Sequence, residues 1–268
     1  MDFRGASADA FAAVSTELSS VAGGGAEAAR VADDLFTVSR LMRAERQLRR
    51  IATDVSVPTA AKQGLVREIF ASKVADGSMK VLETAVARRW TAPRDLADAL
   101  ERLSEIAVVT SAEDASRLSD EVFAVAEIVR SNPDLRDALA DPSRNPDDKV
   151  RLVDGLLEGK VSAATITLVK QAVLGSYRTI AVALQAYRVV AAEVHGRSVA
   201  TVRVAQPLGE DDRSRLTAAL SAQYDRPVHL DVLVDPSVIG GLRVEIGHDV
   251  VDGTVAGRLD EARRQLAG

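Results

Sequence analysis

An internal repeat constrains this chain more than any other feature. Residues 31–90 slide onto residues 118–177 without a gap and give 15 identities in 60 positions, where an unrelated pair of this composition shares roughly 4 to 5. The shift of 87 residues pairs Phe36 with Phe123, Arg43 with Arg130, Asp54 with Asp141, Lys62 with Lys149, Leu65-Val66 with Leu152-Val153 and Trp90 with Tyr177. Two copies of one sequence pattern must fold into two related units.

The pattern within each copy is helical. Val31, Leu35, Val38 and Met42 fall at i, i+4, i+7 and i+11, and so do Leu118, Val122, Val125 and Val129, each set drawing one apolar stripe. Each copy reads as a long helix, a short helix, a breaker and two more helices. Asn145-Pro146-Asp147-Asp148 supplies an N-cap, a proline whose missing N–H costs nothing in the first turn, and two carboxylates at the positive end of the helix dipole. Pro58 falls one residue earlier than the register of Pro146, so helix starts are expected near 58 and 146. A helix over about 92–109, opening after Pro93, separates the copies. By the same shift it corresponds to a helix over about 5–21, so it can close the first bundle and open the second. Gly23-Gly24-Gly25 makes a flexible link after the first helix.

Near His195-Gly196 the pattern changes. Residues 198–205 alternate like a strand, with Val199, Val202 and Val204 as β-branched members. A helix with Glu210-Asp211-Asp212 in its first turn follows, then a strand from Val228 to Val234, a third strand ending at Ile246 and a turn region at Gly247 and Asp252-Gly253. A last helix carries Val255, Leu259, Ala262 and Leu266 on one face. The fold class is mainly α, with two tandem, related helical bundles sharing a connecting helix, followed by a small α+β C-terminal domain. The expected domains are 1–91, 92–196 and 197–268.

Composition then excludes functions. The net charge of −5 works against binding a phosphate backbone, so nucleic acid is not an expected partner. The absence of cysteine removes disulfides, thiolate metal sites and cysteine nucleophiles, and His195, His229 and His248 are scattered. No stretch approaches the roughly 18 apolar residues of a membrane span, and Met1-Asp2-Phe3-Arg4 opens no signal peptide. The chain is expected to be soluble or peripheral to a membrane. Aromatic residues at 3% suit closely packed helices better than a deep ligand pocket.

Candidate chemistry is thin. Gly155-Leu156-Leu157-Glu158-Gly159-Lys160 has the wrong glycine spacing for a phosphate loop, and Val161 stands where Ser or Thr would bind magnesium; a helix end explains it better. Asp147-Asp148 and Asp211-Asp212 sit at expected helix starts, and Asp33-Asp34 is read with them as solvated. His195 has no Ser or Asp visibly arranged with it, and Trp90 and Tyr177 share a repeat position that suits packing. No catalytic residue, cofactor site or metal site is assigned. The residues alone point to a helical-repeat binding module, such as an adaptor for partner helices.

The stretch from Val228-His229-Leu230-Asp231 through Asp235-Pro236 and Ile239-Gly240-Gly241-Leu242 to Ile246-Gly247 resembles the C-terminal signature of the delta subunit of the F-type ATP synthase, called OSCP in mitochondria. The likeness continues through Asp249, Asp252-Gly253-Thr254 and Arg258-Leu259. Upstream, His195-Gly196-Arg197 and Ala205-Gln206-Pro207-Leu208 are similar to family segments, and Arg94-Asp95-Leu96-Ala97 resembles the opening helix of the family's N-terminal bundle. That helix usually carries Tyr and Phe where Leu96 and Glu101 stand here. The ordinary subunit lacks residues 1–91, which the repeat explains as a duplicated bundle, as in long actinobacterial forms.

The resemblance implies a non-catalytic stator subunit, peripheral on the cytoplasmic face of the plasma membrane and present once in a hetero-oligomeric complex. It implies that a helical bundle grips the N-terminal helix of an alpha subunit, with Leu100, Leu168 and Ala172 as candidate contacts, and that the C-terminal domain holds the b subunit through Arg258 and Leu259. With Met1 at the start and no span, a separate b subunit is expected. Asp235, Gly240, Gly241, Gly247, Asp252 and Gly253 form the structural signature.

Overall fold

The computed structural model describes residues 3–195, 198–225, 227–236, 238, 240–246 and 249–254. Chain contacts divide it into two compact units, Met1–Tyr187 and Arg188–Gly268.

The helical unit contains α1 (Ala6–Val21), α2 (Gly25–Ala44), α3 (Arg46–Thr53), α4 (Thr59–Phe70), α5 (Asp76–Ala87), α6 (Pro93–Ser111), α7 (Ala115–Ser131), α8 (Pro133–Ala140), α9 (Pro146–Leu157) and α10 (Ala163–Leu174), and α11 (Ile180–Val194) runs across the division. The repeat is written into the helix boundaries. The starts of α1 and α6, α3 and α8, α4 and α9, α5 and α10, and α6 and α11 all match under the 87-residue shift. Pro58 is the N-cap of α4 whereas Pro146 is the first residue of α9, so the one-residue proline offset leaves the helix starts in register. The exception is α2, which starts at Gly25 after Gly24 and Gly25 adopt positive φ, while Asp114 caps α7 by accepting from Ser116 and Arg117 N–H.

Polar contacts repeat as well. Asp54 accepts from Ser56 N–H and Oγ at 2.8 and 2.7 Å, and Asp141 accepts from Ser143 at the same distances. Asp34 on α2 accepts from Ala75 N–H and Ser78 Oγ and so caps α5. Its counterpart Glu121 on α7 accepts from Ser162 N–H, Ser162 Oγ and Thr165 Oγ1 at the start of α10. These carboxylates answer backbone donors that a helix leaves unpaired. Arg67 on α4 pairs with Glu83 on α5, and in the second copy Asp154 on α9 pairs with Lys170 on α10 at 2.7 Å, the same bridge with its charges exchanged. Asp33, the neighbour of Asp34, is exposed on α2, and partial desolvation there, then the Asp34 charge, raises its pKa.

At the centre is α6. It packs along α2 and against α10, and it buries side chains from Leu96 to Val109, including Leu100, Leu103 and Val108.

In the second unit β1 (Ser198–Val204), α12 (Glu210–Gln223), β2 (Val228–Val234), β3 (Leu242–Ile246) and β4 (Asp249–Asp252) form one sheet in the order β2-β1-β3-β4 with a crossover helix. β1 runs parallel to β2 and antiparallel to β3, which pairs antiparallel with β4. Ala200, Val202 and Val204 alternate into a core completed by Leu220, Leu230, Val244 and Ile246. Residues 249–252, expected in a turn region, are a strand, because pairing with β3 satisfies their backbone. The expected last helix lies outside the described residues.

Candidate partner-binding surfaces

The two faces of α6 meet at a buried carboxylate. Arg43, near the end of α2, pairs with Asp98 at 2.5 Å and with Glu101, which is 1% exposed. From the other side Ser176 donates its N–H to Glu101 Oε1 at 2.7 Å and its Oγ to Oε2 at 2.6 Å. A buried charge is tolerated only when paired and hydrogen-bonded, and here the partners come from both copies of the repeat. A Cβ on Gly175 would fall on Glu101 Oε1 and 2.6 Å from the Gln171 carbonyl oxygen, so that position requires glycine.

One turn further along α6, Glu105 is fully buried. Its Oε2 accepts from Arg102 at 3.1 Å and from the Tyr177 hydroxyl at 3.3 Å, and the Tyr177 ring meets that of Tyr187 edge-on at 5.7 Å. Burial outweighs the pull of Arg102 and pushes the Glu105 carboxyl up to about 7. Tyr177 is raised too, by burial and then by the nearby Glu105 charge. In Glu121 the balance is opposite: burial raises its pKa, but hydrogen bonds from Ser162 and Thr165 prevail and hold it at about 2.

Leu100, Leu168 and Ala172 lie in the packed interior, each at most 5% exposed. Between the end of α6 and the start of α10 a cavity of about 360 Å³ is open to solvent, and Leu100, Leu168 and Ala172 are not in its lining. Its walls include Ala29 of α2, Val108, Ala112, Ala163 and Ala164, with Glu113, Asp114 and Arg117 as its charged groups. Small side chains let a guest helix approach closely.

In the second unit the signature residues build one tight corner. Gly240 and Gly241 have φ of 75° and 79°, a region costly for any residue with a Cβ. A Cβ on Gly241 would also fall on the Gly253 carbonyl oxygen and lie 2.9 Å from Thr254 Cα. Asp252 accepts from Thr254 N–H and Oγ1, and Asp235 N–H donates to the Val204 carbonyl oxygen. Arg188 pairs with buried Asp231. Gly247, Arg258 and Leu259 lie outside the described residues, as do Gly196 and Arg197.

The sequence reading missed Arg43, Glu101 and Glu105. An acidic residue inside the apolar stripe of α6, four residues after Ala97 and four before Glu105, was the available signal.

The family model for the ATP synthase delta (OSCP) subunit matches residues 103–266. An ATP synthase subunit delta of Nocardioides sp. is 52% identical over 244 residues, covering 90% of this chain and 89% of the relative. One from Kineococcus radiotolerans is 41% identical over 91% of this chain and 90% of its own, and one from Streptomyces avermitilis is 38% identical over the whole of both. A chain in the cryo-EM structure of the Toxoplasma gondii mitochondrial ATP synthase hexamer aligns over 62% of this chain and 95% of its own with a TM-score of 0.37 and 18% identity, too loosely to bear on the fold. The match to the Streptomyces avermitilis subunit runs the full length of the chain and so takes in residues 1–91, and the chain belongs to the ATP synthase delta (OSCP) subunit family.

Proposed function

We propose that this chain is the stator link of a proton-translocating F-type ATP synthase, joining alpha subunits of the catalytic head to the b subunit. Likeness to delta subunits along the whole chain is the observation that carries this reading. Its role is structural and non-catalytic: a rotary machine couples proton flow to ATP synthesis only if the head cannot turn with the rotor.

In this reading three domains divide the work, residues 1–91, 92–196 and 197–268. The N-terminal helix of an alpha subunit lies in the cleft between α6 and α10 rather than on Leu100, Leu168 and Ala172, the contacts expected from the sequence, which are buried and outside its lining. Arg258 and Leu259 contact the end of the b stalk. The chain sits peripherally on the cytoplasmic face of the plasma membrane, one copy per complex, and none of its helices in the described residues is long and apolar enough to cross a membrane.

The test is binding of the purified chain to the catalytic head with intact alpha subunits and with their N-terminal segments removed. Binding that vanishes with the segments is expected. No binding to either head would contradict the reading and turn attention to a helical adaptor outside the synthase. For the b contact, Leu259→Asp in a still-folded chain is expected to lose b-stalk affinity.

A further inference from the structure

The first copy of the repeat serves as an internal reference for the second. In it α2 carries Met42 and α4 ends on Phe70, which are 1% and 3% exposed, and α5 adds Leu82 at 1%. Under the 87-residue shift these positions become Val129, Leu157 and Val169, each a smaller side chain. Leu139 in place of Ala52 returns some of the volume. Among α7, α8, α9 and α10 there is an apolar cavity of about 280 Å³, which includes Val129, Leu157 and Val169 in its wall. It reaches the surface beside Ile128 and Leu156, 49% and 38% exposed. The same positions in the first copy, Leu41 and Ile69, are only partly exposed.

A well-packed interior does not leave such a space without cost, because its lining forfeits dispersion contacts. Enclosed apolar cavities of about 150 Å³ accept benzene-sized guests, and this larger one can be entered from outside. The lining also has a polarity. Among the described residues Lys160 is the one charged side chain in it, exposed, with its Nζ donating to the Leu156 carbonyl oxygen at 2.8 Å. That places a cation at the end of α9, beside the opening.

We propose that this cavity receives an aromatic side chain of a partner polypeptide, with a carboxylate next to the ring. The ring takes the space that Phe70 fills in the first copy, and the carboxylate meets the Lys160 ammonium, a charge-assisted contact that an apolar guest alone would lack. The two copies have thereby diverged. The first completes its own interior, and the second is completed from outside. This inference is independent of the cleft between α6 and α10 and of the stator reading.

The experiment uses the full chain with labelled Ile, Leu and Val methyl groups and 3-phenylpropionate as the probe, followed by NMR. Saturable shifts are expected at the Ile128, Leu156, Leu157 and Val169 methyls. Leu157→Phe, which restores the first copy's ring, should abolish them, and Val129→Met serves the same purpose if that variant folds poorly. Lys160→Gln should weaken the acid severalfold and leave binding of neutral 3-phenylpropanol unchanged. A blocked phenylalanyl-aspartate dipeptide should compete with the probe. The proposal is overturned if no saturable shift appears, if Leu157→Phe and Val129→Met bind as well as the parent, or if decanoate binds while the dipeptide does not, which would mark a site for aliphatic amphiphiles.

Discussion

Arg43 on α2 and Glu101 on α6 form an ion pair whose acidic partner is closed off from solvent, and Ser176, from the other copy of the repeat, holds the same carboxylate. Arg43→Ala would leave Glu101 buried with hydrogen bonds but no countercharge. A loss of about 2 kcal/mol is expected, below the cost for a fully buried pair because Arg43 is partly exposed. Glu101→Gln in the same chain should recover part of it. Chemical denaturation of the two single variants and the double variant measures the coupling, and additive losses would deny it.

Glu105 makes stability depend on pH. Its carboxyl titrates near 4.5 when unfolded and about 7 when folded, so between those values the unfolded chain has released a proton that the folded chain still binds. Its contribution is therefore favourable at low pH and declines as pH rises through that window, by on the order of 3 kcal/mol at most. Glu105→Gln should flatten the decline, as read from denaturation midpoints between pH 4.5 and 7.5.

Glu121 acts with the opposite sign. Its pKa is lowered to about 2, so the stabilisation it gives is present above the unfolded value of 4.5 and is lost as pH falls toward 2. Glu121→Ala should cost about 1–2 kcal/mol at neutral pH, and Asp34→Ala a similar amount, as expected for losing a side chain that satisfies a helix start. Hydrogen exchange should show faster opening at the start of α10 for the first variant and of α5 for the second.

Gly241 should resist substitution more than a surface glycine would. Gly241→Ala must accommodate both a positive φ and a Cβ on the Gly253 carbonyl, and a loss above about 2 kcal/mol is expected. Reduced protection of β3 and β4 amides would report it.

Most of the fold was legible because its signals are local or periodic. The apolar stripes of α2 and α7, Pro93 and Pro146 at helix starts, and the 87-residue shift need no knowledge of tertiary contacts. β4 was not legible, because Asp249–Asp252 is short and becomes a strand only by pairing with β3. Leu100, Leu168 and Ala172 read in the sequence as apolar helix positions open to a partner, but one-dimensional periodicity cannot separate an interior position from an exposed groove, and all three are buried. Arg43 and Glu101 are 58 residues apart, and Glu101 taken alone reads as an ordinary exposed acid. Only the packing of α2 on α6 brings the charges together.

Coupling tests the central claim most directly. In membranes carrying the synthase but depleted of this chain, ATP hydrolysis should persist while ATP-driven proton pumping is lost, and adding back the purified chain should restore pumping. Pumping that is equally strong with and without the chain would contradict the account.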